Sequence, residues 1–162
     1  MTAISDLKVR AAVQGDLDVL VEFNAAMAME TEAKQLDRPR LRAGTQAVLT
    51  DSSRGFYLVA ESAGVVVGCL MVTFEWSDWR NGNWWWLQSV YVHPQQRRHG
   101  VFRALYLAVE HNARARTDVV GIRLYVEKKN LQAQQTYAGL GLCEEHYRMY
   151  CKPMRRDSGA DT

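Results

Sequence analysis

Residues 65–92 carry two long apolar runs, "VVVGCLMVTFEW" and "WWWLQSVYV", separated by "RNGN". The Asn-Gly dipeptide favours a tight hairpin turn and predicts that the two runs are antiparallel neighbours. In the second run both alternating sets are largely apolar, Trp84, Trp86, Val90 and Val92 against Trp85, Leu87 and Tyr91. A strand with two apolar faces is covered on both sides and belongs in the middle of a sheet. Shorter runs, "LKVRAAV" and "FYLVAE", read as further strands. Leu17, Leu20, Val21, Phe23 and Met27 suit one face of a helix, with Asp16 as the expected N-cap, and a polar-rich helix follows over residues 40–49.

Beyond residue 100 the period changes. Val101, Leu105, Ala108 and Asn112, flanked by Phe102 and Val109, repeat at helical spacing to about Ala115. "VVGIRLYVEK" then reads as a strand, "NLQAQQTYAGLG" as a helix stopped by Gly139 and Gly141, and "CEEHYRMYCK" as a last strand. Antiparallel strands leading into strand, helix, strand, helix, strand predict a mixed α/β sandwich. One domain over residues 1–154 is expected, with residues 155–162 as a frayed tail.

Composition narrows the function classes. The 162 residues are 48% apolar, enough for one real core, and the formal net charge of +2 gives no basis for coating nucleic acid or a membrane surface. No secretory leader or bilayer-length apolar run is visible, so a cytoplasmic protein is expected. Cys69, Cys143 and Cys151 are odd in number and widely spaced, which predicts free thiols. Cys143 and His146 have opposite parity in the expected last strand, so no metal is expected there.

Charge is concentrated locally. Residues 79–109 contain no Asp or Glu, yet include Arg80, Arg97, Arg98 and Arg103. Within them "QQRRHG" joins the central strand to a helix. A helix N-terminus offers unpartnered N–H groups and about half a positive charge, and Gly100 would let an anion approach the backbone. The turn reads as a phosphate site; the alternative is that Gly100 shapes a loop and the arginines are solvated. Neither a P-loop nor a dinucleotide fingerprint is present.

"VHPQQRRHGVF" resembles the cofactor motif of the GNAT superfamily of N-acetyltransferases, V-x-P followed by R/Q-x-x-G-x-G/A. "LYVEKKNLQAQQTYAGLGL" resembles a later motif of that family through Leu124, Val126, Asn130, Ala133, Tyr137 and Gly141. The resemblance covers residues 7–152 and implies a mostly antiparallel mixed sheet with a splayed central strand and about four flanking helices. It implies acetyl-CoA as co-substrate, with Val90, Tyr91 and Val92 pairing with the pantetheine arm. The turn, Arg97, Arg98, His99, Gly100, Val101, Phe102 and Arg103, would hold the phosphates. Asn130 would lie near the thioester, and Tyr137 would protonate the leaving thiolate. Phe102 departs from the expected Gly or Ala, and its ring must either turn toward the core or narrow the turn.

A weaker similarity joins "TFEWSDWRNGNWWWLQSVYV" to the hairpin of spermidine/spermine N-acetyltransferases. Where those have an acidic pair, this chain has Gln88 and Ser89. Glu75 and Asp78, or Glu30 and Glu32 placed after the first helix, are the expected attractors of a cationic amine. The tryptophans would wall an acceptor pocket, form a homodimer contact, or fill the core. The expected function is acetyl transfer to a primary amine of a polyamine-like or amino-acid-like molecule. The alternatives are an acyl-CoA sensor without turnover and a protein N-acetyltransferase.

Overall fold

Leu7–Ala11 forms strand β1, and its partner lies some fifty residues further on, because two helices intervene. A computed structural model describes residues 6–154; the tail expected at residues 155–162 lies outside them. The chain divides into two compact units, one ending at Tyr125 and the other starting at Val126.

The first unit holds helix α1 (Leu17–Glu32), helix α2 (Arg38–Thr50), strands β2 (Phe56–Ser62), β3 (Val65–Ser77) and β4 (Gly82–Val92), helix α3 (Val101–Arg114) and strand β5 (Val119–Arg123). The sheet order is β1-β2-β3-β4-β5, antiparallel up to β4 and parallel between β4 and β5. This is the mixed, mostly antiparallel sheet expected from the sequence.

Helices cover the two faces of the sheet. Leu20 and Phe23 of α1 pack with Tyr57, Val59, Cys69 and Tyr91 on one face. On the other, Val101 of α3 sits against Gly68, while Leu105 and Val109 are fully buried. Phe56, Phe74 and Trp85 form an aromatic cluster there, Phe56 and Trp85 meeting edge to face at 5.2 Å between centroids.

Several local expectations need correction. Asp16 stands at the N-cap position of α1, as expected, but its side chain makes no capping bond to that helix: it closes a short 3-10 turn, Gln14–Asp16, accepting the Val13 N–H at 2.8 Å and two N–H groups of Arg10 at 2.8 and 3.0 Å. This bonding to Arg10 holds the buried Asp16 carboxyl below its ordinary range. The Asn-Gly pair is not the centre of a two-residue turn. Ser77 pairs with Gly82, so the loop has four residues, with Asn81 at φ 50° and Gly82 inside the strand. Glu30 and Glu32 do not follow α1 but lie in its last turn. The strand expected at residues 143–152 is absent: those residues form neither helix nor strand.

The second unit contains one helix, α4 (Leu131–Gly139), among its described residues. Asn130 caps it, its side chain accepting the Ala133 N–H at 3.1 Å. Among the described residues no helix is long and apolar enough to cross a membrane.

Candidate acetyl-CoA and acceptor site

Strand β4 changes character along its length. Asn83, Trp84, Trp85 and Trp86 pair with β5 on one edge and β3 on the other. Past Trp86, among the described residues, β4 pairs with β3 alone. The edge from Leu87 to the strand's end is therefore an open run of backbone N–H and C=O groups, the kind of edge that accepts an extended, amide-containing partner.

A bulge re-aims this half of the strand. Met71 opposes Gln88 while Cys69 opposes Tyr91, so three residues of β4 span two of β3, and Ser89 takes φ 49°. One extra residue reverses which face the following side chains meet. Tyr91 thus joins Gln88 and Trp86 on the α1 face, while Val92 lies with Gly68 and Val101 on the α3 face. The alternating sets read from sequence are exchanged beyond Ser89.

The open edge leads directly to the basic turn. A 3-10 turn, Pro94–Gln96, is followed by Arg98 at φ 67° and Gly100 at φ 82°. The first α-helical bond of α3 runs from the Ala104 N–H to the Gly100 carbonyl at 2.9 Å, so the amides opening the helix have no intrahelical acceptor. An ideal Cβ on Gly100 would meet nothing within 4 Å, which leaves open space over those amides. Arg98, His99 and Arg103 are exposed around it. Phe102 leans toward Tyr106, with ring centroids 6.3 Å apart.

Arg97 is differently placed. It donates to Glu30 Oε2 at 2.6 Å and to the Val92 carbonyl at 2.9 Å, and its guanidinium lies 5.5 Å from the Tyr91 ring centroid. The Tyr91 hydroxyl donates to the other Glu30 oxygen at 3.0 Å. A carboxylate in a helix's last turn opposes the helix dipole, and Arg97 offsets that here. Burial and the Glu30 carboxylate raise the Tyr91 hydroxyl above its ordinary range. Glu30 is thus a brace between α1 and the start of the turn.

Before the bulge, the α1 face of β3, β4 and β5 carries side chains that the sequence assigns separately. Gln88 donates to the Thr73 hydroxyl. Glu75 accepts the Trp86 indole N–H at 2.6 Å and an Arg123 N–H at 2.9 Å. Arg123 stacks 3.8 Å from the centroid of Trp84, whose ring lies over Gly121. Asp78 is exposed in the hairpin loop and accepts the Trp79 N–H. Trp85 is core, whereas Trp76 and Trp79 are 59% and 89% exposed. Sequence reasoning overlooks Arg123, although a lone charge inside "VVGIRLYV" is a signal available without a structure.

Behind this face Cys69 is buried, its thiol pushed up to about 12 by burial, and its Sγ donates to the Ser89 carbonyl at 3.7 Å. It is an inert core thiol. In the second unit Tyr137 lies on α4, and burial raises its hydroxyl above the ordinary tyrosine range. Among the described residues no three His, Cys, Asp or Glu gather as a metal site.

The chain belongs to the acetyltransferase (GNAT) family, which it matches over residues 23–142. It is 41% identical to a possible acetyltransferase from Clostridium difficile 630, with a TM-score of 0.87 over 94% of this chain and 100% of that one. Two more distant structures share the fold. One is a predicted acetyltransferase with acetyl-CoA from Clostridium acetobutylicum, at 16% identity, a TM-score of 0.74, and coverage of 90% of this chain and 96% of that one. The other is AAC(6')-Iy in complex with a bisubstrate analog, CoA-S-monomethyl-acetylneamine, at 18% identity, a TM-score of 0.72, and coverage of 94% and 100%. No curated protein matches the sequence.

Proposed function

We propose that the protein transfers an acetyl group from acetyl-CoA to a primary amine of a small molecule, by direct attack within a ternary complex. One observation carries the reading: the unpaired edge of β4 runs straight into a turn whose amides open α3. An extended amide chain ending in phosphates matches that sequence of surfaces. The pantetheine arm would pair along Val90, Tyr91 and Val92. The pyrophosphate would lie over Gly100, on the opening amides of α3, with Arg98, His99 and Arg103 around it.

In this reading the amine attacks the thioester carbonyl, a backbone N–H of β4 stabilises the oxyanion, and Tyr137 donates to the departing sulfur. Tyrosine at pKa ~10 is a weaker acid than a thiol at ~8.5, a gap of about 2 kcal/mol, and burial widens it. The hydroxyl therefore serves as a hydrogen-bond donor while charge builds on sulfur. Attack also needs a neutral amine, and deprotonating an alkyl amine of pKa ~10.4 at pH 7.4 costs about 4 kcal/mol. Gln88 has no carboxylate to take that proton, which also favours a second reading, an acyl-CoA sensor without turnover.

The test of the cofactor site is a pair of ligands. CoA should raise the melting temperature more than dephospho-CoA, since Arg98, His99 and Arg103 would meet the ribose phosphate. Equal shifts from CoA and from inorganic phosphate would refute the site. Release of CoA thiol with an amine panel separates the enzyme from the sensor.

A further inference from the structure

The acceptor side of the sheet is less acidic than its sequence suggests. Glu75, its one carboxylate within the strands, has both oxygens engaged, by the Trp86 indole and by Arg123. Arg123 uses one nitrogen for that bond and, among the described residues, forms no other hydrogen bond, while its plane is fixed against Trp84. Arg80 adds a second cation 5.3 Å from the same ring. The unused hydrogen-bonding capacity here belongs to a guanidinium, and a guanidinium with spare donors recognises a carboxylate. Both charged groups against the Trp84 ring are cations, which disfavours a polycation there.

The chemistry of the amine leads the same way. Gln88 is bonded to Thr73 and accepts no proton, and Glu75 is held by Arg123. A site poor in base suits an amine that is already partly neutral. At pH 7.4 an alkyl amine of pKa ~10.4 is neutral about one part in a thousand, whereas an α-amine near ~8 is neutral about one part in five.

Resting on the acetyltransferase reading above, we infer that the acceptor is an α-amine that also bears a carboxylate, of the amino-acid or short-peptide class, with the carboxylate held by Arg123 above Trp84. In the reaction the amine nitrogen bonds to the acetyl carbon as the C–S bond breaks. The amine's proton passes to solvent, and the departing CoA thiolate, hydrogen-bonded by Tyr137, takes one proton from solvent and leaves as the thiol.

Three acceptors test this: alanyl-alanine, its C-terminal amide, and spermidine, with thiol release measured for wild type, Arg123→Met and Arg123→Lys. The wild-type enzyme should favour the free acid over the amide by ~10-fold or more in kcat/KM, with spermidine the poorest. Arg123→Met should raise KM for the acid ~10-fold, leave the amide and acetyl-CoA values within about twofold, and so erase the preference. Arg123→Lys should restore part of it. The inference is overturned if the amide or spermidine is the better substrate, or if Arg123→Met lowers acid and amide equally. Should Arg123→Met fail to fold, the wild-type comparison of acid with amide decides alone. Failure of the parent reading looks different: CoA still raises the melting temperature, yet no acceptor releases thiol.

Discussion

The turn at Gly100 follows one end of β4 and the face around Glu75 of β3 flanks the other, yet they are built by opposite means. At the turn the backbone does the work, through two residues at positive φ and a helix opening whose amides have no intrahelical acceptor. On the face side chains do it, through contacts between residues far apart in sequence: Glu75 meets Arg123 across 48 positions. A backbone device imposes its residue type locally. A side-chain platform leaves each residue looking ordinary until the strands are aligned.

The largest expected effect breaks the turn and spares the face. Gly100→Glu fits in open space but places a carboxylate over the opening amides and holds a non-glycine residue at φ 82°, a strain of ~1–2 kcal/mol. The melting shift caused by CoA should disappear while the protein stays folded. Retained CoA binding would remove the phosphate role from the turn.

Tyr137→Phe should disturb neither region and still lower kcat by ~10²-fold, with KM for both substrates little changed. Full kcat in the variant would make Tyr137 structural.

Asp16 offers a control outside both regions. Replacing it with Asn removes a buried charged acceptor of the Arg10 and Val13 N–H groups, a loss of about 2 kcal/mol, or ~4–8 °C in melting temperature. Because the folded carboxyl titrates below its unfolded value of ~3.9, its contribution is complete above that pH and is lost as pH falls through the folded value. Wild type and variant should therefore differ at pH 7 and converge in acid. A gap that does not narrow as pH falls below ~3.9 would show that charge is not the cause.

The smallest effect sharpens the other side. A methyl group at Gly121 would stand 2.3 Å from the Trp84 ring, so Gly121→Ala must displace the indole on which Arg123 rests. The acceptor KM should rise several-fold with CoA affinity untouched. Coupled changes in both would mean that the two regions do not act separately.

The same contrast explains what the sequence discloses. Glycine in a basic turn before an amphipathic helix is a local pattern, and α3 and the hairpin of β3 and β4 are correctly anticipated from it and its neighbours. Asp16 takes the N-cap position as its residue type suggests, but its side chain finds a stronger partner in Arg10 than in the helix. Alternation groups Tyr91 with Trp85 and Leu87, whereas the bulge places it with Trp86 and Gln88; a bulge leaves no mark on hydrophobic alternation when both faces are apolar. "CEEHYRMYCK" alternates well enough for a strand, but strand pairing is not a property of one segment. Glu30 and Glu75 look like free acids in sequence, and only the fold supplies Arg97 and Arg123.

The bulge at Ser89 also makes residue count matter more than residue identity over this stretch. Gln88 and Tyr91 are an odd number of positions apart and still share a face, so removing one residue between them would send the Tyr91 ring to the far side of the sheet. The hydroxyl would leave Glu30, and the cation of Arg97 would lose the ring beneath it. Substitutions at Ser89 strain a single φ; a one-residue gap there would disconnect α1 from the loop that Arg97 opens. Relatives that preserve this architecture should therefore vary in composition between residues 87 and 97 while holding its length fixed.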